Sequence, residues 1–230
     1  MSRDLAGNLD SVRRRIADAA GAVDRDPADI TLIAVSKTHA AAVVDAAVAA
    51  GAVDLGENRV QEAVAKKSEV RPARWHLIGP LQRNKAKAAL ETFDVIHTID
   101  RPEIVDRLQF LLEQHWPERV VDVLLEINVG DEPQKAGVAP DDAPALLDRA
   151  LDADRLRVCG VMAIPPFTPD PEASRPFFRR LREVRDRLQS GSGHDLPELS
   201  MGMSHDFEIA VAEGATMVRV GTAIFGPRGS

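Results

Sequence analysis

The chain has no tyrosine, a single cysteine, and only 4% aromatic side chains. One cysteine, Cys159, excludes an internal disulfide and cannot build a thiolate metal site, which fits a reducing, cytoplasmic setting. Its place inside an apolar run reads as that of a small buried hydrophobe. No apolar run is long enough to span a membrane, and the opening Met-Ser-Arg-Asp-Leu-Ala-Gly-Asn carries no signal-peptide core. Basic residues are outnumbered by acidic ones, 29 to 36. The resulting net charge of −7 argues against a general nucleic-acid surface but leaves room for a local positive pocket that holds one phosphate. The six histidines, His39, His76, His97, His115, His194 and His205, are scattered, and no pair has zinc-motif spacing. No linker rich in proline, glycine or serine divides the chain, so one domain over residues 1–230 is expected.

What is present is a large apolar fraction, 44%, with 28% charged residues, enough for the core of a soluble globular protein. An amphipathic helix is expected over residues 3–23, with Leu5, Leu9, Val12, Ile16 and Val23 at three- and four-residue spacing. Next comes Ile30-Thr31-Leu32-Ile33-Ala34-Val35, a run apolar on both faces, as in a parallel sheet. Further strand signals fall at 52–55, 75–78, 94–99, 120–129, 156–164, 198–200 and 216–220. Each is followed by a helix or helical turn. Strands alternating with helices in this way make parallel βαβ units, and eight of them in this length point to a closed (β/α)8 barrel.

In such a barrel the carboxyl ends of the strands hold the chemistry. Those ends include Ser36-Lys37-Thr38, Gly56-Glu57-Asn58, Gly79-Pro80, Ser200-Met201-Gly202-Met203-Ser204 and Gly221-Thr222. Small residues, hydroxyls and amides crowd one rim. A partly desolvated lysine at a strand end has a lowered pKa and a neutral amine able to form a Schiff base, while a lysine that snorkels into water does not. The loops after the last two strands occupy the usual phosphate position of barrels, with backbone amides and hydroxyls. Gly226 precedes Pro227-Arg228, where a P-loop requires Lys-Ser/Thr, so this is no nucleoside-triphosphate cradle. Arg219 shares a strand face with Met217 and Gly221. Inside a barrel it needs a partner, either a ligand or a structural ion pair with Glu57 or Asp100.

Jointly these segments resemble the pyridoxal phosphate homeostasis proteins, alanine-racemase-like barrel proteins that bind pyridoxal phosphate. The resemblance rests on Ala34-Val35-Ser36-Lys37-Thr38, Gly56-Glu57-Asn58-Arg59-Val60-Gln61-Glu62, Trp75-His76-Leu77-Ile78-Gly79-Pro80-Leu81-Gln82-Arg83-Asn84-Lys85, Gly160-Val161-Met162-Ala163-Ile164-Pro165, Leu199-Ser200-Met201-Gly202-Met203-Ser204 and Val218-Arg219-Val220-Gly221-Thr222-Ala223-Ile224-Phe225-Gly226. It implies that Lys37 holds pyridoxal 5'-phosphate as an internal aldimine. It further implies that Ser200, Gly221 and Thr222 bind the phosphate, that Arg219 faces the pyridine nitrogen, and that Asn58 lies near the ring. Two departures concern loops: His39-Ala40 stands where the family commonly has proline, and Gln134-Lys135-Ala136-Gly137 replaces a more serine-rich loop.

The same fold and cofactor serve alanine racemase, an amino-acid racemase that uses a tyrosine from a second domain as its other acid/base. This chain has no tyrosine and no residues left for that domain. A cytoplasmic carrier in vitamin B6 homeostasis is therefore expected over an enzyme, with apo forms of pyridoxal phosphate enzymes as recipients. Neither nucleic acid nor membrane is an expected partner, and without a shared active site a monomer is expected. A Schiff-base aldolase on the same barrel, holding a sugar phosphate, is the third alternative.

Overall fold

The computed structural model describes residues 4–132 and 134–226. The expected helix start at residue 3, and Pro227-Arg228 of the P-loop comparison, lie outside the described residues. Helix α1 (Leu5–Gly21) is capped by Asp4, whose side chain accepts from Gly7 N–H at 2.9 Å. The chain then alternates: β1 (Thr31–Val35), α2 (Ala41–Ala49), β2 (Asp54–Glu57), α3 (Val60–Lys67), β3 (Arg74–Leu77), α4 (Ala86–Thr92), β4 (Val95–Ile99) and α5 (Pro102–His115). It continues with β5 (Val121–Glu126), α6 (Ala143–Leu151), β6 (Leu156–Met162), α7 (Arg175–Ser192), β7 (Glu198–Met203), α8 (Phe207–Ala212), β8 (Met217–Val220) and the short α9 (Thr222–Phe225). All pairings are parallel, each strand with the next, and β8 returns to β1 to close the barrel. This is the (β/α)8 architecture expected from the alternation.

Two apolar layers hold it. Ile33, Val95, Leu124, Met162 and Met217 fill the barrel interior, while the larger core lies between strands and helices. Strand alternation explains the split, since successive side chains point to opposite faces. Helix α1 packs beside the β8–β1 closure. Asn8 Nδ2 of α1 donates to Ile224 O at 2.8 Å, and Arg25 in the turn after α1 donates to the carbonyls of Val211 and Ala215, so α1 and that turn join the last elements to the first. Among the described residues no helix is long and apolar enough to cross a membrane.

Several boundaries differ from expectation, and packing and register explain three of them. Strand β2 begins at Asp54 because Gly51 closes α2 at φ +100° and Ala52 is used in the outer core; the ladder with β1 starts at Ile33 opposite Asp54. Strand β5 ends at Glu126, where Ile127 leaves the sheet to bridge Val138. Strand β7 runs on to Met203, with an irregular register against β8 that lets Gly202 adopt φ +89°. Cys159 is half-buried, not fully buried, and burial raises its thiol pKa to about 11, so it stays protonated.

Candidate functional site

The carboxyl ends of β1, β2, β3, β6, β7 and β8 enclose a cavity of about 390 Å³. Lys37, Asn58, Arg219, Gly221 and Thr222 all line it, together with Val35, Ile78, Ile164, Phe167, Met203, Ser204 and His205. Small-molecule sites typically span about 300–1,000 Å³.

Lys37 stands on a tight turn immediately after β1. Thr38 holds φ +68°, a left-handed conformation that a β-branched residue adopts only when its surroundings impose it. The imposing groups are identifiable. Thr38 N–H donates to Glu62 Oε2 at 3.1 Å, and His39 N–H closes the turn onto Ser36 O at 3.2 Å. Beneath the turn, Lys66 Nζ donates to both Ser36 O (3.0 Å) and His39 O (3.1 Å), and to Glu57 Oε1 at 2.6 Å. Ser36 Oγ donates to the same carboxylate oxygen at 2.6 Å. Burial pushes the Glu57 pKa up, opposed by its bonds to Lys66 and Ser36. One buried cation thus grips both ends of the turn that presents Lys37. His39, next along, stacks on Phe225 with ring centroids 4.9 Å apart and ties β1 to α9.

Arg219 enters from β8 and is 3% exposed. Its Nη1 donates to Ser200 O and Ser200 Oγ, both at 2.7 Å, and its Nη2 to Ala163 O at 2.8 Å. Neither structural partner expected from sequence is used: Glu57 is bound to Lys66, and Asp100 to Arg101. The physical reason is geometric: β8 lies against β7 with Arg219 opposite Met203, and its side chain reaches back to Ser200, with the Glu126 carboxyl acting on it electrostatically. Burial lowers the Arg219 pKa to about 10, opposed by the Glu126 and Asp206 carboxylates, so the guanidinium stays charged at neutral pH. Glu126 answers with a pKa raised to about 7, through burial first and the neighbouring Asp100 second.

Asn58 turns the chain from β2 into α3. Its Oδ1 is buried with no hydrogen-bond partner among the described residues. A buried, unsatisfied acceptor on a cavity wall fits a ligand that brings a donor. Gly79 permits this packing: a Cβ there would meet Asn58 O at 2.3 Å. At the far wall, Ser204 Oγ accepts from Gly221 N–H at 3.1 Å, and the Gly221–Thr222 segment offers a rim without bulk.

Of the six residues expected at the site, five meet on the cavity. Ser200 does not line it: fully buried, it lies behind Arg219 and bonds His97 Nδ1 at 3.0 Å. Ser204 belongs to the segment expected at the phosphate position, whereas sequence reasoning missed Lys66, Phe167 and His205. Lys66 carried a readable signal, since it lies with Val60 and Ala63 at three-residue spacing on the apolar face of α3.

A lysine, an arginine and an amide on the carboxyl rim of a parallel barrel define a class, and the comparison with known proteins agrees. Residues 7–229 match the family model described as alanine racemase, N-terminal domain. The pyridoxal phosphate homeostasis protein of Pseudomonas aeruginosa is 46% identical over 226 residues, 97% of this chain and 96% of the relative. The chain belongs to the pyridoxal phosphate homeostasis protein family. A solved structure of PipY from Synechococcus elongatus, with PLP bound, is 38% identical, with a TM-score of 0.84 over 97% of this chain and 100% of that one. Alanine racemase from Bacillus anthracis shares the fold, with a TM-score of 0.67 at 19% identity over 96% of this chain and 57% of that one.

Proposed function

We propose that the chain binds pyridoxal 5'-phosphate in this cavity, attached covalently to Lys37, and serves intracellular vitamin B6 homeostasis as a cofactor holder. The observation that carries this reading is the convergence of Lys37, Asn58, Arg219, Gly221 and Thr222 on one cavity. The Lys37 amine would condense with the aldehyde, releasing water. Asn58 Oδ1 would accept from a ring substituent, and Arg219 would direct an N–H at the unprotonated ring nitrogen. Ser204, Gly221 and Thr222 would receive the phosphate. Bound here, the cofactor supplies an electron sink. A permanently charged guanidinium beside the ring nitrogen disfavours protonating it and weakens that sink.

A carrier role is favoured over racemisation by the cavity wall itself. Besides Lys37 and Arg219, the only titratable side chain lining it among the described residues is His205. Its Nε2 is bonded to Thr168 O at 3.1 Å, and its ring leans on Phe167, which is 77% exposed at the rim. With no tyrosine in the chain, a second acid/base opposite Lys37 is wanting. The proposal therefore extends to release of cofactor to apo forms of pyridoxal phosphate enzymes, in the cytoplasm, by a monomer that engages neither nucleic acid nor membrane.

The test is uptake. Purified protein mixed with pyridoxal 5'-phosphate should gain visible absorbance, and borohydride should fix the label on Lys37, read by peptide mass spectrometry. Lys37→Ala should lose all fixed label. Colourless wild-type protein would sink the binding proposal. Amino-acid racemase turnover that Lys37→Ala abolishes would overturn the carrier reading.

A further inference from the structure

A line of buried polar side chains runs through the barrel from the cavity to the opposite face. Arg219 Nη1 meets Ser200 Oγ at 2.7 Å, and Ser200 Oγ meets His97 Nδ1 at 3.0 Å. His97 Nε2 meets His76 Nδ1 at 2.9 Å, and His76 Nε2 meets Asp54 Oδ1 at 2.8 Å. Ser200, His97 and His76 are fully buried. Asp54 opens the first position of β2 and lines a second cavity at the amino ends of the strands, with Leu9, Ile30 and Thr31. Five strands, β2, β3, β4, β7 and β8, contribute to a structure that no single loop could build.

The two ends dictate the direction of every bond between them. A guanidinium only donates, and a carboxylate only accepts. Arg219 donates an N–H to Ser200 Oγ, so the serine hydroxyl must find an acceptor, and His97 Nδ1 is the one in reach. His97 then carries its hydrogen on Nε2 and donates to His76 Nδ1. His76 in turn carries its hydrogen on Nε2 and donates to Asp54. Reversing His97 would leave the buried Ser200 hydroxyl without an acceptor, a strongly disfavoured state. The surroundings agree with a neutral His97: burial first, with Arg219 and Arg74 adding to it, holds its pKa well below the usual histidine value. Glu126 and Asp206 face the guanidinium end, and Arg74, which opens β3, is itself paired with Asp122.

We propose that Ser200, His97, His76 and Asp54 form a one-directional hydrogen-bond relay that positions Arg219 and keeps it a donor toward the cofactor cavity. The proposal rests on the cofactor-binding reading for its consequence, though not for its geometry. Three Arg219 contacts, two to Ser200 and one to Ala163 O, orient the guanidinium plane, and its remaining N–H groups are left to serve the cavity. These four side chains are positioning residues: none lines the cavity that Arg219 reaches.

The relay makes a prediction that needs no cofactor. In nitrogen-15 imidazole spectra of the apo protein near pH 7.5, His76 and His97 should both appear as neutral rings protonated on Nε2. An imidazolium at His76, or a His97 hydrogen on Nδ1, would overturn the relay. In the loaded protein, Ser200→Ala and His97→Leu should each weaken pyridoxal 5'-phosphate affinity about three- to tenfold, as loss of one hydrogen bond does. Each should also shift the absorbance maximum of the bound cofactor, while borohydride still fixes the label on Lys37 at saturation. The double variant should lose no more than either single one, because both act through Arg219. Additive losses would instead make Ser200 a direct ligand contact and refute the relay. Unchanged affinity and spectrum in Ser200→Ala would refute it too, with cofactor binding intact. Should wild-type protein take up no cofactor, the functional reading fails while the imidazole spectra still decide the relay.

Discussion

Glu126 sits within the barrel with one carboxylate oxygen, Oε2, buried and unpartnered among the described residues. Its pKa, raised from an ordinary 4.5 to about 7, means that the folded protein binds this proton more tightly than the unfolded chain does. The stability it contributes is fully present at low pH and is lost as pH rises from about 4.5 through 7. Complete loss would be on the order of 3 kcal/mol. Glu126→Gln, which keeps the shape and never ionises, should flatten that slope. Denaturant unfolding at pH 5 and pH 8 would measure it, and parallel slopes for both proteins would refute the assignment. The place of Glu126 within a strand was legible from the apolar run at 120–129. Its raised pKa was not, because burial inside the closed barrel comes first, Asp100 from the neighbouring strand end adds to it, and Arg219 from across the barrel opposes it.

Helix α3 and the ends of β1 and β2 form one unit, joined by the Lys66–Glu57 bond at 2.6 Å. Lys66→Met would strand a buried carboxylate and two backbone carbonyls, and should cost about 3–5 kcal/mol of stability. Adding Glu57→Gln should recover part of that loss, because the uncompensated charge disappears. If chemical denaturation found the two losses additive, the pair would not be the unit inferred here. The helix itself was legible from its apolar spacing at Val60 and Ala63. That its lysine would turn inward required knowing that Glu57 points to the same place. Strand β7 shows a complementary limit: three residues suggested a strand, and the chain continued to Met203 because Ser200–Met203 found partners on β8.

For the molecule as a whole, closure through β8 and β1 makes every strand interior, and α1 braces the seam. Leu9 of α1 is fully buried in the outer core. Leu9→Ala should therefore lower the unfolding free energy by about 2–5 kcal/mol. In a Trp116→Phe background, the fluorescence of buried Trp75 and the far-ultraviolet circular dichroism should shift together, as one cooperative transition. Separate midpoints would mean that α1 detaches independently of the barrel.

The sequence by itself determined the order of elements, the closed parallel barrel and the residue types at its carboxyl rim, because periodicity and strand ends are local properties of the chain. Lys37, Asn58, Arg219, Gly221 and Thr222 could be named from those ends. Only the tertiary structure decided who partners whom inside the barrel. It gave Arg219 to Ser200 and not to Glu57 or Asp100, and gave Glu57 to Lys66. It also drew His76 and His97, from adjacent strands, into one line with Asp54. The reason is geometric: buried polar groups must be satisfied, but their partners are set by strand register and barrel closure, which join residues more than a hundred positions apart, such as His97 and Ser200.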